Sequence, residues 1–217
     1  MLKIKLVLRS ADFFKMILMV AFSILDFIFI SSCNSSDIAN SKPLSNLTSK
    51  PTKLVLWNGE SNSPGVGWVS PEGDSMSIAQ QDTIFRSSKN SVAIHMARHH
   101  VFLEAGWQWS AWTATVETNI KSYIKINLSV KVDGPIRPDD MMLSLASPGD
   151  HHTTQRVSLK LYDPALMDGN WHDLSIPLAD LFTSDMKFDP AHAIQIIFAT
   201  WNESGDFLLY LDDLSVE

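Results

Sequence analysis

Cysteine is almost absent from this chain, since Cys33 is the one cysteine among 217 residues. The sequence that follows Cys33 therefore forms no internal disulfide, and its stability must come from a hydrophobic core. Three common signatures of catalytic sites are also missing: a paired-cysteine metal motif, a Gly-x-Ser-x-Gly segment and a glycine-rich phosphate loop. These absences make catalysis the less favoured function.

Basic charge is scarce as well. The chain has 17 Lys and Arg against 24 Asp and Glu, and its formal net charge at pH 7 is −7. Because an acidic chain repels the phosphate backbone, nucleic acid is not the expected partner. The same acidity is compatible with a neutral ligand or with a bound divalent cation.

The N-terminal segment has the pattern of an export signal. Basic residues precede an apolar run from Met16 to Ile30, which Asp26 interrupts. This run is short for a transmembrane helix, which needs about 20 apolar residues. We therefore expect residues 1–32 to be a signal peptide that is not part of the fold.

The residues Ile30-Ser31-Ser32-Cys33 resemble the lipobox of bacterial lipoproteins. The resemblance implies that Cys33 is lipidated, becomes the mature N-terminus and anchors an exported protein in the bacterial envelope. Asn34 follows, which by resemblance to Gram-negative sorting rules favours the outer membrane. The alternative is an ordinary cleaved signal peptide. Residues 33–52 are rich in Ser, Asn, Thr and Pro, which predicts a flexible tether.

The remaining residues, 53–217, suffice for a single domain with a sizeable core. Short apolar runs separated by Gly, Pro, Asn, Asp and Ser predict an all-β, antiparallel sandwich. Alternation is clearest from Tyr123 to Val132, where the apolar residues from Ile124 onward share one face. Strands are predicted over residues 53–57, 75–80, 91–95, 101–112, 123–132, 141–147, 155–161, 171–177, 193–200 and 207–216, with a helical turn over 178–182.

Three tryptophans occur within six residues, at positions 107, 109 and 112. On a strand, Trp107 and Trp109 would point the same way and Trp112 the opposite way. An indole offers a flat apolar surface on which a sugar ring can stack. We therefore expect Trp107 and Trp109 to bind carbohydrate and Trp112 to lie in the core. The alternative is that all three are packing residues.

Polar residues near this segment could bind sugar hydroxyl groups. Gln108 lies between the two tryptophans, and His95 and Arg98 precede them in the sequence. Amide, imidazole and guanidinium groups all donate hydrogen bonds to hydroxyl oxygens. The predicted carbohydrate site therefore includes Gln108, His95 and Arg98.

The order of segments across residues 53–217 resembles the jelly-roll carbohydrate-binding modules and galactose-binding-like domains that are attached to bacterial glycoside hydrolases and surface lipoproteins. The resemblance is carried by residues 54–60, Gly67-Trp68, 87–95, 105–112, 169–181 and 207–216. It implies a jelly-roll sandwich with a non-catalytic carbohydrate-binding function.

The closing strand suggests a metal. Strict alternation places Asp212 on one face with Leu208, Tyr210, Leu214 and Val216, and a bare carboxylate in a core would cost several kcal/mol. The resemblance implies that Asp212 and Glu60 hold a structural Ca²⁺, an ion that takes oxygen ligands. The alternative is an Asp212 carboxylate bonded by backbone N–H groups or by an arginine.

The sequence therefore predicts a non-catalytic protein that binds a polysaccharide or oligosaccharide and meets the membrane only through its lipid anchor. Two alternatives remain: a structural or protein-interaction sandwich of the envelope, and a glycoside hydrolase or polysaccharide lyase. A retaining hydrolase needs two carboxylates about 5 Å apart. The Glu-x-Asp-x-x-Glu pattern that supplies them on jelly rolls is not in the sequence.

Overall fold

The computed structural model describes residues 52–60, 65–70, 76–97, 102–111, 115–135, 137–149, 152–201 and 206–217. Residues from Lys50 to Glu217 form one compact unit. The predicted signal peptide, Cys33, Arg98 and Trp112 lie outside the described residues. Among the residues that are described, no helix has the length and apolar character to cross a membrane.

Nearly all regular structure in these ranges is β-strand. The strands are β1 (Leu54–Trp57), β2 (Val66–Ser70), β3 (Met76–Gln81), β4 (Ser91–Met96), β5 (Phe102–Gln108), β6 (Lys125–Asp133), β7 (Met142–Ala146), β8 (Val157–Ser158), β9 (Trp171–Pro177), β10 (Gln195–Trp201) and β11 (Phe207–Val216). Helical structure is limited to two 3₁₀ turns, Leu159–Leu161 and Leu166–Asp168, and the single α-helical turn α1 (Leu178–Leu181).

The strands form two antiparallel sheets. A six-stranded sheet has the order β3-β4-β11-β6-β9, with β1 also paired to β11, and a five-stranded sheet has the order β2-β5-β10-β7-β8. The inner faces of both sheets contribute to one hydrophobic core. The predicted all-β, antiparallel sandwich is thereby confirmed.

An aromatic contact connects the two sheets within the core. Trp57 of β1 meets Trp107 of β5 edge to face, with ring centroids 5.9 Å apart and an interplanar angle of 78°. Aromatic pairs prefer this geometry over face-to-face stacking. These two indoles therefore join the six-stranded sheet to the five-stranded sheet.

Strand β6 has the alternation that the sequence predicts. Its inward residues are all buried, namely Ile126, Leu128, Val130 and Val132. Ile124 is 75% exposed because it precedes the first paired residue of the strand. The alternation therefore identified the core face of β6 correctly, but the predicted strand began at Tyr123, two residues before the observed strand.

Strand β11 does not alternate strictly. Leu211 pairs with Val130 of β6, and the register then shifts by one residue between Asp212 and Ser215. A shift of this kind is a β-bulge, which inserts one extra residue and changes the face of every residue after it. Leu214 therefore points into the core together with Leu211, and the predicted common face of Asp212 and Leu214 is wrong.

Candidate functional site

The two tryptophans predicted to stack on sugar are buried. Trp107 is 2% exposed and Trp109 is 8% exposed. Trp107 contacts Trp57 between the sheets, and Trp109 donates its Nε1–H to Thr118 Oγ1 at 3.2 Å. Neither indole has a free ring face, so their assignment as a carbohydrate platform is wrong. The alternative, in which they are packing residues, is correct for both.

The polar residues assigned to the same platform are dispersed. Gln108 is 1% exposed, and its Nε2 donates to the backbone oxygen of Ser110 at 3.1 Å. His95 lies on β4 of the other sheet, where its Nε2 is 3.8 Å from a carboxylate oxygen of Asp206. Gln108 therefore holds a turn after β5, and the structure does not bring His95 to it.

Asp212 is fully buried, and hydrogen-bond donors surround its carboxylate. Its Oδ2 accepts the backbone N–H groups of Arg86 at 2.9 Å and Ser87 at 3.3 Å. Its Oδ1 accepts the backbone N–H of Asp213 at 2.8 Å and lies 3.0 Å from the Ser88 hydroxyl. These donors compensate the negative charge, which is the alternative that the sequence left open.

This donor set does not fit a calcium ion at Asp212. N–H groups direct the positive end of their dipoles at the carboxylate oxygens, where a cation would have to approach. Glu60, the other predicted ligand, is exposed. Across the described ranges, no group of three or more His, Cys, Asp or Glu side chains is placed to hold a metal. Calcium at Glu60 and Asp212 stays a prediction from the sequence.

The outer face of the five-stranded sheet has the aromatic surface that the predicted platform lacks. Leu103, Ala105 and Trp107 of β5 point into the core, so the alternate residues of β5 point outward. The outward residues of β5 and of its neighbours β2 and β10 include Trp68, Phe102, Glu104, Gln195 and Trp201. We call this surface the tryptophan face.

Trp68 lies flat against this sheet. It is paired with Gly106 of β5, and a Cβ atom at Gly106 would come within 2.2 Å of the indole Nε1. The same Nε1 donates a hydrogen bond to Gln195 Oε1 at 3.0 Å. Glycine at position 106 therefore makes room for the ring, and Gln195 fixes its orientation.

Trp201 occupies the other end of the tryptophan face. It is 63% exposed, and its ring centroid lies 5.4 Å from that of Phe102. Phe102 and Gly106 are four residues apart on β5, which corresponds to about 13 Å along the strand. The aromatic residues therefore mark two ends of a surface much longer than one sugar ring.

Charged and polar groups lie between these two ends. Arg156 forms an ion pair with Glu104, and its guanidinium carbon lies 4.8 Å from the centroid of Phe102. A shallow pocket of about 250 Å³ is lined by Arg156 and Glu104 together with Trp68, Gln195 and His152. Donors and acceptors beside an indole are the groups that a polyhydroxylated ligand needs.

Sequence reasoning missed most of this surface. Trp68 served only as a marker of the opening strand, and Trp201 received no role. A usable signal was present in β10, where Ile196 and Phe198 alternate with outward residues and Trp201 continues the outward set. A tryptophan on the solvent side of a strand is the unusual feature there.

No family model matches the sequence, and no curated protein matches it. Similarity is found among solved structures. A family 30 carbohydrate-binding module of a cellulosomal cellulase of Clostridium thermocellum is 14% identical, with a TM-score of 0.59, and the alignment covers 76% of this chain and 96% of that module.

Two further structures have the same fold. A family 11 carbohydrate-binding module from Clostridium thermocellum, in complex with a β-1,3-1,4-mixed-linked tetrasaccharide, is 13% identical over 76% of this chain and 94% of that module, with a TM-score of 0.50. A β-1,2-glucanase from Parabacteroides distasonis is 16% identical, with a TM-score of 0.58. The alignment covers 77% of this chain but only 25% of the enzyme. The domain therefore has the jelly-roll fold of carbohydrate-binding modules, as its resemblance to them implied.

Proposed function

We propose that this domain binds a polysaccharide or oligosaccharide chain on its tryptophan face without cleaving it. The observation that carries the proposal is the pair of outward indoles, Trp68 and Trp201, at two ends of one sheet surface. An indole stacks on the C–H face of a pyranose, and polar groups between the indoles can bond to ring hydroxyls. Trp68 and Trp201 take the stacking role that the sequence gave to Trp107 and Trp109.

The similar solved structures favour carbohydrate as the ligand class. Two are carbohydrate-binding modules, of which one belongs to a cellulosomal cellulase and the other is in complex with a tetrasaccharide. In the β-1,2-glucanase, the similar region is about a quarter of the enzyme. A fold used for binding glycans, together with outward tryptophans on this sheet, supports binding as the function.

The pocket on the tryptophan face gives no support to glycoside hydrolysis. Of the described residues that line it, Glu104 alone has a carboxylate, and that carboxylate is paired with Arg156. Hydrolysis of a glycosidic bond uses two carboxyl groups, one as the acid and one as the base or nucleophile. The arrangement therefore favours binding over catalysis.

The proposal includes a lipid anchor at Cys33, which would hold the domain at the bacterial envelope on the tether of residues 33–52. Its support is the sequence alone: the apolar run, the lipobox-like residues and the single cysteine. Labelling of the expressed protein with a palmitate analogue tests it. We expect label in the wild type and none in Cys33→Ser, and equal labelling of both would contradict the anchor.

Affinity electrophoresis through gels that contain a polysaccharide tests the binding function. Suitable polysaccharides are β-1,3-1,4-mixed-linked glucan, β-1,2-glucan and a soluble cellulose derivative. We expect at least one of them to retard the wild type, and Trp68→Ala and Trp201→Ala to weaken that binding about tenfold each. Trp171→Ala is the matched control, because Trp171 lies on β9 of the other sheet beside Tyr210.

The outcomes separate the alternatives. Retention that survives both Trp68→Ala and Trp201→Ala would exclude the tryptophan face as the site. A folded wild type that no polysaccharide retards would favour the protein-interaction alternative. Release of reducing ends from a retained polysaccharide would show an enzyme.

A further inference from the structure

We propose a second ligand site on the opposite side of the sandwich, on the outer face of the six-stranded sheet. A groove of about 640 Å³ lies there, against about 250 Å³ for the pocket on the tryptophan face. The site is suited to a small, neutral molecule with several hydroxyl groups, such as a monosaccharide or another polyol. We call it the serine groove.

The floor of the serine groove is a row of small polar residues on three adjacent strands. Ser215 of β11 pairs with Asn127 of β6, and Asn127 pairs with Ser175 of β9. Outward side chains on paired strands stand about 5 Å apart, so these three form one line across the sheet. Their small size leaves the space that larger side chains would fill.

Ser215 supplies an unused hydrogen-bonding group at this floor. It is 1% exposed, and its Oγ has no hydrogen-bond partner. Leaving a buried hydroxyl unpaired costs free energy, and native proteins rarely do so without a reason. By contrast, the nearby Ser129 hydroxyl donates to Asp173 Oδ1 at 2.6 Å. A ligand hydroxyl in the groove would satisfy Ser215.

The backbone beside the groove is in an uncommon conformation. Asp213 lies in the bulge of β11 and lines the groove. Its φ is 53°, the one positive φ at a non-glycine residue in the part of the chain that the structure describes. The Ser87 hydroxyl holds its carboxylate at 2.6 Å. Bulges and left-handed residues often direct a side chain toward a functional site. Here the bulge holds the Asp213 carboxylate at the rim of the groove.

The charges of the groove indicate a neutral ligand. Two basic side chains, Lys53 and Arg86, are balanced by two acidic ones, Asp173 and Asp213. Arg86 is already paired, since its Nη2 lies 3.0 Å from Asp173 Oδ2. No aromatic ring is among the described residues that line the groove, so binding would rest on hydrogen bonds. Its volume is within the range of small-molecule sites.

Ligand-observed saturation-transfer NMR on the full chain in detergent tests the proposal. The probes are glucose, galactose, mannose and N-acetylglucosamine, with glucuronate as the charged comparison. We expect at least one neutral probe to bind the wild type saturably. Ser175→Trp fills the groove and should abolish the signal, whereas Ser215→Ala should weaken binding about threefold or more through loss of one hydroxyl.

A stability measurement separates a ligand role of Ser215 from a structural role. Because its hydroxyl has no partner, Ser215→Ala should leave the thermal midpoint unchanged or higher, while probe binding falls. Ser77→Ala, an exposed serine on β3 of the same sheet, is the matched control and should change neither.

Three results would overturn the proposal. The first is no saturable binding of any neutral probe to the wild type. The second is binding that Trp68→Ala abolishes and Ser175→Trp leaves intact, which would assign the probe to the tryptophan face. The third is tighter binding of glucuronate than of every neutral probe. The proposed polysaccharide binding is judged separately, by gel retention of the Trp68→Ala and Trp201→Ala variants.

Discussion

Trp68 and Gln195 are joined by a hydrogen bond of 3.0 Å that passes over strand β5. Trp68 belongs to β2 and Gln195 to β10, and these two strands flank β5 in the sheet. The bond lies above Gly106, whose missing side chain allows the indole to approach the sheet. The ring is therefore oriented before any ligand arrives, which lowers the entropic cost of binding.

Replacement of Gln195 tests this orientation. Gln195→Leu keeps the approximate volume of the side chain but removes the acceptor for the Trp68 N–H. We expect polysaccharide affinity to fall about five- to tenfold with little change in the thermal midpoint, as for loss of one hydrogen bond. Gln80→Leu on β3 is the control. Unchanged affinity in Gln195→Leu would show that packing on Gly106 alone orients the ring.

Glu104 balances one positive charge on the tryptophan face. Its ion pair neutralises Arg156 beside Phe102. We expect Glu104→Gln to free the guanidinium and to create binding to polygalacturonate at low ionic strength, with little change toward a neutral glucan. Salt should abolish the gain, because exposed charges are screened. The gain should also vanish in the Glu104→Gln, Arg156→Gln double variant, and its persistence there would contradict the role of Arg156.

Asp212 is expected to be the acidic residue on which stability depends most. Asp212→Asn removes the buried charge and points an amide N–H₂ at the N–H donors of the loop that contains Arg86 and Ser87. We expect a loss of about 2–4 kcal/mol in the free energy of unfolding, measured by denaturant titration. Asp213→Asn should cost less, because asparagine tolerates a positive φ and the Asp213 side chain is only half-buried.

EDTA treatment of the wild-type protein tests the prediction of a calcium ion at Glu60 and Asp212. Because N–H groups already compensate Asp212, we expect the thermal midpoint of the wild type to be unchanged by EDTA. A fall of several degrees that added Ca²⁺ reverses would instead support a calcium ion at Glu60 and Asp212. Metal analysis of the purified protein would then give its stoichiometry.

The hydrogen bonds of His172 to two carboxylates predict that the stability of the fold depends on pH. Its Nδ1 lies 2.7 Å from Asp163 Oδ2 and its Nε2 lies 2.9 Å from Asp168 Oδ1. Burial lowers the pKa of His172, but the hydrogen bonds to Asp168 and Asp163 outweigh burial and raise it above its usual value. Hydrogen bonds from His172 and from the side chain and backbone of Asn170 together lower the pKa of Asp168 to about 2.

The direction of the effect follows from these shifts. A raised histidine pKa stabilises the fold fully below the unfolded value of about 6.5, and this contribution is lost as the pH rises through the folded pKa. The Asp168 contribution is present above about pH 4 and is lost as the pH falls toward the lowered pKa. The two contributions therefore overlap between about pH 4 and pH 6.5.

Thermal unfolding of His172→Gln checks this window. We expect the midpoint difference between wild type and variant to be larger near pH 5.5 than near pH 9, because the histidine contribution is lost as the pH rises through the raised pKa. His192→Gln, at a more exposed histidine, controls for the loss of a ring. A difference that does not change with pH would mean that His172 contributes through packing.

The strands were easier to predict than the site. The predicted strand over residues 171–177 coincides with β9, and that over 207–216 coincides with β11, because turn residues end these apolar runs. Strand β2 was missed, since it is short and Gly67 interrupts its run of β-forming residues. The strand predicted over residues 155–161 was too long. The observed strand β8 contains Val157 and Ser158, and a 3₁₀ helix begins at Leu159.

The site was misplaced because period-2 alternation separates two faces without telling which is buried. Trp107 and Gln108 of β5 point to opposite sides, yet both are buried: one by the second sheet, the other by the loop that begins at Ser110. The outward role of Trp68 depends on Gly106, 38 positions later in the sequence. Only the pairing of β2 with β5 brings these two residues together.

The bulge in β11 also fixes how the end of the chain tolerates deletion. Removal of Asp213 would take out the extra residue of the bulge, so Leu214 and Val216 would still face the core and Ser215 would still face the serine groove. Strand β1 would keep its register with the end of β11, since Leu54 pairs with Val216 and Trp57 with Leu214, and both partners lie beyond the bulge. The bulge is therefore the place in the closing strand where one residue can be deleted without turning core side chains outward, whereas a deletion in a regular part of β11 would reverse the faces of the residues beyond it.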